Sequence, residues 1–103
     1  MTEAELFFQS LSDSFPHAKT GRMFGALCIK TSKGKAAAMF WKGDLVVKLP
    51  ETHLKETLSL DGTQHFDPMD GRPMKEWVQV PFHYSDKWKD LLEKSMSYVL
   101  SIE

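Results

Sequence analysis

Apolar residues open the chain at helical intervals: Ala4, Phe8, Leu11 and Phe15 recur every three or four positions with polar residues between them. Thr2 and Glu5 have the spacing of a capping box, so a helix is predicted from about Thr2 to Phe15, stopped by Pro16. From Arg22 the period changes. Met23, Leu27 and Ile29 fall on one side of an extended segment and Ala26, Cys28 and Lys30 on the other, which predicts a strand. Ser32-Lys33-Gly34-Lys35 reads as a hairpin turn into the strand KAAAMFWK, and Lys42-Gly43-Asp44 as a second tight turn into LVVKL. Strands joined by such short turns form an antiparallel meander.

Pro50 then opens a short helix carrying Leu54 and Leu58, which ends before Asp61-Gly62. Two short strands are predicted around His65-Phe66 and Glu76–Val80. Ser85 or Asp86 is the expected cap of a last helix whose stripe is Trp88, Leu91, Leu92, Ser95, Met96, Val99 and Ile102. The order is α-β-β-β-α-β-β-α. A five-stranded antiparallel sheet with the two longer helices on one face buries these stripes, an α+β two-layer sandwich.

The length of 103 residues fits one domain spanning residues 1–103, without repeats, linkers or low-complexity segments. A start with two Glu and no basic leader, and the lack of any apolar run near the ~18 residues of a membrane span, give cytoplasm as the expected location and no membrane partner. The single Cys28, in an apolar run, reads as a buried inert thiol.

A net charge of −1 argues against whole-molecule attraction to nucleic acid, but the charges are unevenly spread. Between Ser14 and Gly43 there is no acidic residue, while Lys19, Arg22, Lys30, Lys33, Lys35 and Lys42 supply six of the 13 basic ones. The first hairpin is therefore a positive lobe. With Phe40 and Trp41 nearby it could contact phosphates or stack single-stranded bases, although lysines on exposed strands also keep sheet edges from aggregating. The two arginines, Arg22 and Arg72, each follow Gly and stand just before a Met; brought together at one end of the sheet they could define an anion site, the favoured alternative being a structural role such as tying the Asp70 loop to the meander.

Catalytic chemistry finds little footing. The stretch DPMDGRPMKEWVQVP is dense in special residues, but Asp67-Pro68 and Asp70-Gly71 are turn dipeptides and Trp77 to Val80 alternate as a half-buried strand. Asp67 and Asp70 do not match an EF-hand, and no apolar surroundings are apparent that would split two carboxylates into acid and base. His17, His53, His65 and His83 lack the close pairing frequent in zinc sites. No nucleophile-elbow, P-loop or dinucleotide-binding string occurs. No catalytic residue, metal or cofactor is expected.

Arg22-Met23-Phe24-Gly25, the Lys42-Gly43-Asp44 turn followed by Leu45 and Lys48-Leu49, Phe66, and Gly71-Arg72-Pro73-Met74 with Trp77 and Val80 resemble the TfoX (Sxy) N-terminal-domain family, from about Phe15 to the last helix. The resemblance implies an α+β fold of the secretion-chaperone-like kind in a bacterial protein. Full-length members regulate competence genes and carry a second domain, so this chain reads as a stand-alone first domain. Where the family commonly has a second Gly after the MFG string, this chain has Ala26. The family brings no established catalytic residues.

The expectation is thus a non-enzymatic protein-binding or regulatory module, pairing with a protein partner or a second copy. Its candidate binding surface is Arg22, Lys30, Lys33, Lys35, Phe40, Trp41, Arg72 and Trp77, with Phe40, Val46 and Trp77 as apolar contacts if the monomer leaves them uncovered. The alternative is nucleic-acid or anionic-ligand binding through the basic hairpin at residues 19–42.

Overall fold

Thr2 begins the first element as predicted: its Oγ1 accepts the amide of Glu5 at 3.1 Å, and α1 (Glu3–Asp13) follows with Ala4, Phe8 and Leu11 buried. The structure is a computed structural model that describes the chain apart from Met1, Phe24, residues 68–70, Arg72, Glu103 and the side chain of Met23. The expectations placed on Phe24, Asp70 and Arg72 lie outside the described residues.

The single strand expected from Arg22 is two. β1 (Lys19–Met23) and β2 (Ala26–Lys30) pair antiparallel with Met23 opposite Ala26, and Gly25 at φ +76° ends the tight connection between them. Alternation alone missed this reversal: it grouped position 23 with Leu27 and Ile29, whereas the turn shifts the phase by one and puts position 23 in register with Ala26, a shift that the all-apolar neighbours Met23, Phe24 and Ala26 conceal and that no Asn-Gly or Asp-Gly signature announces. β3 (Ala36–Trp41) and β4 (Asp44–Lys48) form the next hairpin. Lys42 at φ +50° and Gly43 at φ +89° are both left-handed at its tip, as a type I′ turn requires.

After α2 (Glu51–Leu58) come β5 (Gln64–Phe66) and β6 (Met74–Val80), and then a single 3₁₀ turn, Phe82–Tyr84. That turn starts at Pro81 and runs directly into α3 (Ser85–Ile102), so Ser85 is the first residue of the helix and not its cap. The fold is α+β in the order α-β-β-β-β-α-β-β-α, with a six-stranded antiparallel open sheet in place of the five strands expected. Spatially the strands run β1-β2-β3-β4-β6-β5.

Register explains the core. Ile29, Ala38, Val47 and Val78 are successive cross-strand neighbours on one face, and Phe8 and Leu11 of α1 and Trp88, Leu91 and Leu92 of α3 cover them. Two polar contacts fix α3: Ser95 Oγ donates to the Ala37 carbonyl at 2.6 Å, and Trp88 Nε1 donates to the Pro81 carbonyl at 3.2 Å. The opposite face is not bare. Cys28, Met39 and Val46, again cross-strand neighbours, join Phe66 and Trp77 in a second buried cluster.

Candidate anion-binding surface

The antiparallel register sorts the basic lobe into two ends. Lys19 begins β1 and Lys30 ends β2, so the two stand directly opposite each other, a like-charge cross-strand pair that costs stability. The connection that follows belongs to the same end. Thr31 N–H donates to the Lys35 carbonyl at 2.8 Å and Gly34 N–H to the Thr31 carbonyl at 2.9 Å, with Gly34 at φ +86°, and this turn holds Lys33 and Lys35 exposed beside Lys30. Four lysines therefore gather at one end of three strands. Arg22 and Lys42 lie at the other, where Arg22 Nη1 donates to the Gly25 carbonyl at 3.4 Å and Lys42 Nζ is 5.7 Å from the centre of the Trp41 ring.

Gly21 shapes this surface. A Cβ built there would meet Cε and Nζ of Lys30 at 3.0 Å, so the Lys30 chain lies across the edge strand where β1 has no side chain. Among the described residues, the ion pairs join Lys48 to Glu76, Lys55 to Glu51 and Lys94 to Asp90, and none draws on Lys19, Lys30, Lys33 or Lys35. The positive end is uncompensated there.

The aromatic part of the expected surface divides between the two faces of the sheet, with Phe40 and Trp41 half-buried. Phe40 turns to the helix side, its ring centre 5.5 Å from that of Phe8, whereas Trp41 turns to the other face and meets Phe66 edge-on at 5.3 Å. Val46 and Trp77 are buried in the second cluster. Val46 and Trp77 thus offer no exposed apolar contact and Phe40 is half-buried against the helix side, because the central strands are packed on both faces of the sheet. Among the described residues, the large apolar side chains that are exposed are Leu6, Leu100 and Ile102, all on helices.

Cys28 is buried, and burial pushes its thiol pKa up, against the smaller opposing pulls of the Lys30 charge and a backbone hydrogen bond from Gly21. A thiol so placed is a poor nucleophile. Asp67 Oδ2 accepts the amide of Gly71 at 2.8 Å, which is turn chemistry. Among the described residues no group of His, Cys, Asp and Glu has metal-binding geometry.

Sequence reasoning missed one feature. Between α2 and α3 an open cleft of about 470 Å³ is lined by residues including His53, Asp90, Glu93, Lys94 and Tyr98, with Lys94 and Asp90 paired at 3.0 Å. His53 Nδ1 is buried there without a hydrogen-bond partner among the described residues. Nothing in the spacing joins position 53 to positions 90–98; only the packing of α2 beside α3 does. Tyr98 OH donates to Glu76 Oε1 at 2.8 Å, and that bond, before all else, raises the phenol pKa.

No family model, no curated protein and no solved structure matches this chain.

Proposed function

We propose that the chain is a non-enzymatic protein-binding or regulatory module that recognises an acidic protein partner through Lys19, Lys30, Lys33 and Lys35. One observation carries this reading: Lys19 faces Lys30 across β1 and β2, with two more lysines on the adjoining turn. A fold tolerates such repulsion more readily when the surface has an anion to meet. The buried thiol and the Asp67 turn supply no reactive group, which favours recognition over catalysis. A TfoX N-terminal-like identity, a two-layer arrangement and a cytoplasmic setting belong to the same proposal, supported by the sequence strings and the element order.

The second reading keeps the lysines and changes the ligand to nucleic acid or another polyanion. With Phe40 packed on Phe8 and Trp41 on Phe66, stacking of bases has little to rest on, which ranks it lower. Anisotropy titrations of an oligoglutamate peptide and an oligothymidylate, each at low and physiological salt, test both. Salt-sensitive binding of the peptide that is lost in K19Q/K30Q/K33Q/K35Q supports the leading reading; preference for the oligonucleotide moves the case to the second. Absence of lysine-dependent binding to either removes both. Lys30→Gln alone should also stabilise the fold by roughly 0.2–0.5 kcal/mol at low salt by ending the Lys19–Lys30 opposition.

A further inference from the structure

The two edges of the sheet are unlike. β5 is 3 residues long, and its pairing with β6 is broken by a register shift between His65 and Phe66. Short and irregular edges are how native sheets refuse another strand. β1 is 5 residues long and pairs with β2 without a shift, Lys19 against Lys30 through Met23 against Ala26. Being outermost, it has β2 on one side only, and among the described residues the backbone groups on its other side have no strand partner. No proline interrupts Lys19–Met23.

Charge is what guards this edge. Lys19 and Arg22 are exposed on it, and the Lys30 ammonium reaches across it at Gly21. Such a guard is selective. A second copy pairing β1 to β1 would bring lysines and arginines together, and like charges opposite each other repel. An acidic strand would be drawn to the same row.

From this contrast between a blunted edge and a regular, cationic one, we infer that β1 docks an extended acidic segment of a partner protein as a seventh strand. The acidity of the partner rests on the reading above; the mode of binding is new. A residue of the added strand opposite Gly21 projects its side chain onto the face where the Lys30 ammonium lies, and the residue two places along meets Lys19. The preferred segment therefore carries carboxylates at alternate positions. Gly21 is the seat, since any side chain there would compete with Lys30 for its place.

The probe is a capped peptide, Thr-Thr-Glu-Val-Glu-Thr-Thr, titrated into isotopically labelled protein and followed by amide chemical shifts. Two further peptides of the same sequence are N-methylated at every second residue, one in each phase. Only one set of alternate N–H groups in an added strand faces the sheet, so methylation in one phase should weaken binding by about tenfold or more while the other leaves it largely intact, as loss of two ordinary backbone hydrogen bonds implies. Shifts should centre on Lys19–Met23, and Lys30→Gln should weaken the unmethylated peptide. Equal binding of all three peptides overturns strand addition but leaves recognition by charge standing. Shifts confined to Lys33 and Lys35 do the same. No binding of any peptide, with oligothymidylate bound instead, overturns the inference and the protein-partner reading together.

Discussion

Cys28 is where the buried second face becomes measurable in solution. Its thiol is held above the ordinary range chiefly by burial, so the native state keeps a proton that the unfolded chain releases first. The stabilisation is fully present below the ordinary thiol pKa of about 8.5 and is lost as pH rises through the raised native value. Tyr98, raised by its bond to Glu76, pulls in the same direction at higher pH, so the two must be separated. Denaturant midpoints measured from pH 7 upward should therefore fall more steeply for the wild type than for Cys28→Ala. The alanine variant starts lower because of the cavity, by an offset that does not change with pH. Parallel curves for the two proteins would contradict the burial of Cys28. That burial was legible beforehand, since a thiol within an apolar strand has few other places to go.

At the level of elements, period and turn chemistry disclosed most of the fold, and the failures share one cause. The hairpins at Gly34 and Gly43 and the helix after Pro50 follow directly from local residues. The β1–β2 reversal does not, because its one-position change of phase is concealed in the apolar run MFGAL, which carries no turn dipeptide. The sides taken by Phe40 and Trp41 were equally hidden: in a strand buried on both faces, neighbouring apolar residues point to different cores, and only the cross-strand partners decide which. The gathering of Lys19 with Lys30 likewise depends on the unforeseen hairpin, although the lack of acids from Ser14 to Gly43 was plain. Ser95 illustrates the same limit. It falls on the apolar stripe of α3 as a small residue, yet its hydroxyl ties the helix to β3 through the Ala37 carbonyl in a fully buried site. Ser95→Ala should cost about 1–2 kcal/mol, as loss of a buried hydrogen bond outweighs the small gain in helix propensity. Chemical denaturation with an unchanged slope checks it; a neutral or stabilising result would mean that the hydroxyl does not anchor α3.

Across the whole molecule the charges separate. The segment from Ser14 to Gly43 carries six cations and no anion, and the rest holds seven basic against 14 acidic residues, so a lobe of +6 adjoins a body of −7. The net charge of −1 leaves little long-range repulsion between copies, so the orientation of the two lobes decides how they interact. At roughly 10 mM salt the Debye length is about 30 Å, comparable with the largest extent of 33 Å, and the lobe of one molecule can feel the body of another. Near 150 mM it shrinks to about 8 Å and that attraction is screened. Light scattering at pH 7 should thus give an attractive second virial coefficient at low salt that rises toward zero as salt is added. Contacts of this kind are heterologous, head to body, and build no closed symmetric pair, so no fixed dimer mass should appear along the series. K19Q/K30Q/K33Q/K35Q makes a sharp control: it weakens the lobe and raises the net negative charge, so it should turn the low-salt coefficient repulsive. An attractive coefficient surviving in that variant would assign the attraction to the exposed Leu6, Leu100 and Ile102, and salt would then strengthen it.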